Sequence, residues 1–136
     1  MVAALSAGHP LAASDMVRVA DLAREPLIMF SRRLDPEAAL ELDRLFRQAG
    51  AEMNVVHEMD TMLSTLNFVA MGVGCSIVPG FTRRLGLGAV AFRPLQPCSV
   101  VKTLAMVTRR GDRGLAARLV DHVSRSYSQD DVTSAG

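Results

Sequence analysis

Between Val55 and Phe81 the chain changes its apolar period twice, and this switching restricts the available folds more than any other feature. Val55 to Glu58 has the length and composition of a strand. Asp60 then stands as a cap for a helix from Thr61 to Met71, in which Met62, Leu63, Leu66, Phe68, Val69 and Ala70 surround the axis almost completely. Such a helix is expected to be covered on more than one side. Gly72 and Gly74 end it, and Cys75 to Val78 is a second apolar run of strand length, closed by Pro79-Gly80.

The same alternation begins further upstream. Leu27 to Phe30 is a continuous apolar run, as in a strand buried on both faces of a parallel sheet. Asp35-Pro36 opens a helix, with Asp able to cap free amides and Pro at the first position, where its missing donor costs nothing. Leu42, Leu45, Phe46 and Ala49 keep one face apolar, and Gly50 supplies the left-handed stop. Strand, helix, strand, helix, strand specifies an α/β fold with a mostly parallel sheet and right-handed crossovers.

The flanks are read more coarsely. Val2 to Leu5 is a strand ended by the Gly8-His9-Pro10 turn, and Val19 to Ala23 makes one helical turn before Pro26. Thr82 to Leu85 is a short turn, Val90 to Arg93 a strand, and Pro94 to Pro97 a crossing linker. Val101 to Thr108 is expected as a strand, and Leu115, Ala116, Leu119, Val120 and Val123 mark one face of a last helix. Ser128 to Gly136 is polar and expected to be disordered.

Charge and composition exclude several functions. With 15 Lys+Arg against 14 Asp+Glu, no basic surplus exists to neutralise a run of phosphates, and the absence of Trp removes stacking platforms. DNA binding by this chain alone is therefore not expected. No apolar run approaches the roughly 20 residues of a membrane span, and Met1 to Ala13 lacks the basic and apolar regions of a secretion signal, so a cytoplasmic location is expected. Cys75 and Cys98 have neither C-x-x-C spacing nor a His nearby in sequence, the pattern of two free thiols.

In an open parallel sheet, ligands bind outside the carboxyl ends of the strands. Three loops qualify: Ser31-Arg32-Arg33, Met59-Asp60-Thr61 and Pro79-Gly80-Phe81. They offer hydroxyls, two guanidiniums, amides at a helix start and an aromatic ring, a set suited to a small organic anion. Arg32 and Arg33 are equally open to being solvated loop charges, Asp60 to being only a cap opposing an anion, Phe81 to packing under its own turn, and His9 to being a turn residue.

No catalytic constellation emerges. Gly72-Val73-Gly74 follows a helix and precedes a strand, the reverse of the dinucleotide motif, and Ile77 stands where its third Gly belongs. Ser76 is not in G-x-S-x-G, and His9, His57 and His122 lie on separate elements. The expectation is no enzyme, no cofactor and no metal.

The segments VAALSAGHPLA, VADLAREPLIMF, DPEAALELDRLFRQAG, VVHEMDTMLSTLNFVAMGVGCSIVP, AVAFRPL and TLAMVTRR together resemble the effector-binding domain of LysR-type transcriptional regulators, from Val2 to about Tyr127. The most specific parts are AGHPLA and VAMGVGCSIVP, with Met71 at a position where the family usually has Ala. The resemblance implies a type 2 periplasmic-binding-protein-like fold of two α/β subdomains joined by crossover strands, with a small-molecule effector in the cleft between them. It implies that residues 1–95 hold the second subdomain with its crossovers, Val2 to Leu5 and Val90 to Leu95, and that residues 96–127 hold a strand and helix of an incomplete first subdomain. The family's winged helix-turn-helix and the first part of subdomain one are missing from the sequence. The function implied is effector sensing; the alternative is a free-standing solute-binding protein of the same architecture.

Five apolar side chains on the last helix, at about 1.5 to 3 kcal/mol each when buried, leave on the order of 10 kcal/mol of burial without a partner. Self-association or a loosely held C-terminus should follow. Light scattering after size-exclusion chromatography is expected to show species above the monomer mass, or amide exchange in the last helix to be fast. A compact monomer with slow exchange there would contradict this.

Overall fold

The computed structural model describes residues 1–100 and 114–127. The expected strand Val101 to Thr108 lies outside the described residues, as does the expected tail. By internal contacts the chain divides into two units, Met1–Lys102 and Thr103–Gly136.

The first unit opens with β1 (Val2–Ser6), a 3-10 turn at Pro10–Ala13, β2 (Val17–Arg18) and the single-turn α1 (Val19–Leu22). It continues with β3 (Leu27–Phe30), α2 (Pro36–Gln48), β4 (Val55–Met59), α3 (Met62–Ala70) and β5 (Ser76–Val78), then a 3-10 turn at Gly80–Leu85 and β6 (Val90–Gln96). β6 runs through Pro94 to Gln96 instead of giving way to a linker, because Pro94 and Leu95 still find register partners in Val2 and Val17.

β3 and β4 pair in parallel, and β3 meets the start of β5 in parallel through the Leu27–Cys75 bridge. β1 runs against both β5 and β6, and β2 pairs in parallel with β6. Across the unit the strand order is β4, β3, β5, β1, β6, β2. Each βαβ step is therefore parallel, and the antiparallel pairs all involve β1.

The alternation of side chains along β1 and β5 divides the interior into two layers. Ala3, Leu5, Cys75 and Ile77 join Leu22, Leu42, Leu45 and Phe46 on the side of α1 and α2. Val2, Ala4, Val78 and Val90 join Leu66 and Val69 of α3 on the other. A sheet covered on both faces accounts for continuous apolar runs such as Leu27–Phe30.

α2 forms as its sequence dictates: Asp35 accepts from the Ala38 N–H at 3.3 Å, Pro36 takes the first position, and Gly50 follows the end with φ 69°. α3 differs from expectation twice. Its cap is Thr61, whose Oγ1 accepts the Ser64 N–H at 3.1 Å, while Asp60 turns to Arg33 instead. Coverage is also one-sided: Thr65, Leu66 and Val69 are buried, but Leu63 is 56% and Met71 76% exposed. An apolar circumference fixes no neighbours, and only the face toward β1 and β5 has a sheet beneath it.

The two glycines after α3 have different reasons. Gly72, at φ 74°, allows Gly72 and Val73 to donate back to Val69 and Phe68, closing the helix end. Gly74 lies so close to Pro26 that an added Cβ would stand 2.6 Å from the Pro26 carbonyl oxygen.

In the second unit, α4 (Leu115–Tyr127) has no fully buried residue among those described, and Leu115 and Leu119 are 82% and 56% exposed. Gly74→Ala is expected to cost about 1 to 3 kcal/mol, because the obstacle is backbone and cannot rotate aside. Urea unfolding should show the loss, whereas Gly8→Ala, with nothing near its added Cβ, should move the midpoint much less.

Candidate functional site

The strand order places a reversal beside β3. From β3 the chain passes through α2 to β4 on one flank, then through α3 to β5 on the other. α2, which follows β3, and α3, which follows β4, contribute to opposite core layers, so the chain leaves the carboxyl edge toward both faces of the sheet there, the arrangement at which open α/β sheets bind ligands.

All three predicted loops leave the sheet at this edge. Ser31 follows β3 and is joined to the end of β4 by its N–H, which donates to Met59 O at 2.9 Å. Thr61 follows β4, and Pro79 follows β5. Antiparallel pairing brings the first residue of β1 and the late part of β6 to the same edge, since Val2 stands opposite both Val78 and Pro94. Direct contact is shown between the first two loops; topology alone brings the third to their side.

The guanidiniums are already committed. Arg32 makes a two-pronged pair with Asp43 at 2.8 and 3.1 Å and reaches Glu58 at 3.5 Å, which raises its pKa further, chiefly through the Asp43 hydrogen bonds. Arg33 pairs with Asp60 at 3.3 Å. Two cations therefore meet three carboxylates; Arg32 is tied to two of them, whereas Arg33, 74% exposed, remains a largely solvated loop charge. Arg32 ties α2 to β4, and its own N–H donates to Glu58 at 3.2 Å.

At the start of α3, Thr61 Oγ1 donates to Ser64 Oγ at 2.8 Å, which leaves the Ser64 hydroxyl hydrogen available. Ser31 is buried and Phe81 half-buried; the residue shut away beneath the Pro79-Gly80 turn is Thr82, donating to Pro79 O at 2.7 Å. Ser64, Asp43 and Glu58 are the residues that sequence reasoning missed. The first could have been found as the third residue after a Thr cap; the carboxylates needed the fold.

A separate depression of about 470 Å³ runs along β6, bordered by Asp15, Arg83, Phe92 and Arg93 among others, and none of the nine predicted residues lines it. Arg93 is spent there on the carbonyls of Ala12, Ser14 and Phe92, at 2.6 to 3.0 Å.

The opposite edge of the sheet holds a correction. No His lies near either cysteine along the chain, yet His9 Nε2 stands 3.7 Å from Cys75 Sγ and 3.5 Å from a Glu25 carboxylate oxygen. Parallel pairing of β3 and β5 sets Cys75 beside Leu27, close to Glu25, and β1 delivers the turn that carries His9. His9 is a turn residue as well, its Nδ1 accepting from the Leu11 N–H at 3.2 Å.

Burial, with Glu25 adding to it, pushes the Cys75 thiol from its ordinary 9.0 up to about 12. At pH 8 only on the order of one thiol in ten thousand would be thiolate, so alkylation should label Cys98 well before Cys75. Peptide mapping after a short iodoacetamide pulse checks this. Because unfolding releases the Cys75 proton at lower pH than the folded protein does, its contribution to stability is whole below pH 9 and falls as pH rises toward about 12.

The LysR substrate binding domain model matches residues 1–127. The transcriptional regulator TtuA of Agrobacterium vitis is 37% identical over 94 residues, covering 69% of this chain and 31% of its own length. The Hca operon transcriptional activator HcaR of Escherichia coli is 27% identical over 118 residues, covering 87% of this chain and 40% of its own. The chain thus spans well under half of these relatives. Among solved structures, the BenM effector binding domain with its effector benzoate superposes with TM-score 0.69 at 20% identity, covering 93% of this chain and 60% of that one. The effector binding domain of QuiR in complex with shikimate gives 0.60 at 18% identity, covering 93% and 59%. These likenesses establish a type 2 periplasmic-binding-protein-like α/β fold, and by the match over nearly its full length the chain belongs to the LysR substrate binding domain family.

Proposed function

We propose that this chain senses a small organic effector for a LysR-type transcriptional regulator, at the crevice between β3 and β5. The observation that carries the reading is the reversal of strand order there, in a chain whose family is a substrate binding domain. The site comprises Ser31, Arg32, Arg33, Met59, Asp60, Thr61, Pro79, Gly80 and Phe81, with Ser64 added. Benzoate and shikimate, bound by two structural neighbours, are small carboxylates, and we take that as the ligand class.

Since Arg32 and Arg33 already face carboxylates, recognition of an anion falls to the Ser31 and Ser64 hydroxyls and the first amides of α3. Arg32 acts as a positioning residue, holding Ser31 and β4 together. The compound is bound without being transformed, and binding favours one relative arrangement of the two subdomains over another. The curated relatives are transcriptional regulators, not enzymes, in keeping with this.

DNA contact belongs to the full-length regulator, since the near-balanced charge of this chain gives it no means of gripping a duplex alone. A second copy of the chain covers the apolar side of α4, where Leu115 and Leu119 are exposed. The setting is cytoplasmic; among the described residues no helix is long and apolar enough to cross a membrane.

A thermal-shift screen of aromatic and alicyclic carboxylates tests the assignment. A ligand at a hundred times its Kd should add about 2.7 kcal/mol of stability. Ser64→Ala and Ser31→Ala should remove most of that shift, and Arg32→Ala should weaken it. Undiminished shifts in both serine variants would take the effector away from this edge, and turnover of the compound would favour an enzyme.

A further inference from the structure

We propose that His9, Glu25 and Cys75 form a binding site for one thiophilic divalent cation of the zinc class, held by imidazole, carboxylate and thiolate with solvent at a fourth position. The site lies at the amino ends of β3 and β5, the opposite edge of the sheet from the effector crevice, and does not depend on the reading given for that crevice.

The spacing is the first argument. A tetrahedral zinc with bonds of about 2.0 to 2.3 Å sets its nitrogen and sulfur ligands about 3.6 Å apart and its nitrogen and oxygen ligands about 3.4 Å apart. Here His9 Nε2 is 3.7 Å from Cys75 Sγ and 3.5 Å from the Glu25 oxygen, and all three ligand atoms lie within 4.8 Å of one another. The two distances from the imidazole already match, and the Cys75 and Glu25 ligand atoms would close on each other by up to about 1 Å on loading.

Placement is the second. The three residues come from three segments fixed by other forces: the turn after β1, the loop before β3 and the start of β5. The backbone of that corner is locked by Cys75 N–H donating to Pro26 O and Ile28 N–H to Cys75 O, both at 2.8 Å. Cys75 is almost wholly buried, whereas His9 and Glu25 keep side-chain exposures of 20% and 32%. That leaves a path for the ion and a place for a water ligand, the open tetrahedral arrangement.

Charge is the third. A dication among these three groups is attracted by the Glu25 carboxylate and by the Cys75 thiolate at once. Loading moves two protons. The Cys75 thiol gives its proton to solvent. The imidazole proton, placed on Nε2 while Nδ1 accepts from Leu11 N–H, passes to Nδ1, so that Nε2 can bind the metal and the Leu11 contact is given up.

The test uses the whole chain, reduced and stripped with chelator, titrated with Co²⁺ as a spectroscopic probe and then displaced with Zn²⁺. One ion per chain is expected, with a thiolate-to-cobalt absorption band that persists in Cys98→Ser and vanishes in Cys75→Ser. His9→Gln and Glu25→Gln should each weaken Zn²⁺ by about 100-fold. In the wild-type protein Zn²⁺ should also protect Cys75 from alkylation under mild urea, a readout that needs no variant to fold. No band, a band that survives Cys75→Ser or disappears in Cys98→Ser, unchanged affinity in His9→Gln, or unprotected Cys75 would each overturn the site.

Discussion

Two backbone hydrogen bonds hold the molecule's main sheet together where it would otherwise part. Cys75 N–H donates to Pro26 O and Ile28 N–H donates to Cys75 O, joining the β3–β4 pair to the four-stranded group that contains β5 and β1. The approach is possible only because residue 74 has no side chain. Without that join, β3 would have β4 as its single neighbour and the reversal of strand order would not exist. The reversal of strand order and the His9–Glu25–Cys75 corner are both consequences of the same seam.

The two edges carry different chemistry. At the carboxyl edge, Arg32 and Arg33 are balanced by Asp43, Glu58 and Asp60, so loop geometry is fixed by ion pairs while hydroxyls and amides remain for a ligand. Such exposed pairs stabilise by only about 0.2 to 1 kcal/mol each, and their importance here is positional. At the amino edge a thiol and a carboxylate face one imidazole, partly shielded from water, an arrangement poor for reactivity and suitable for a cation.

The sequence made local structure legible and left tertiary neighbours hidden. α2 was readable because Asp35, Pro36, the Leu42–Leu45–Phe46 face and Gly50 each act within a few residues of one another. The parallel run β3, β4, β5 was readable from the alternation of apolar periods. The cap of α3 is Thr61 where Asp60 is expected, since both residue types can cap and the local sequence does not decide between them. Leu63 and Met71 were expected to be covered, but periodicity says how a helix is patterned and not what stands beside it. The carboxylates around Arg32 and the meeting of His9 with Cys75, 66 residues apart, required the strand order itself.

The effector is proposed to bind at the carboxyl edge beside β3. Titration of the ¹⁵N-labelled chain with benzoate, followed by amide chemical shifts, addresses this most directly. Perturbations are expected to concentrate on Ser31, Arg32, Thr61, Ser64, Gly80 and Phe81. Perturbations gathered instead along β6, around Asp15, Arg83 and Phe92, with those six amides unmoved, would contradict it.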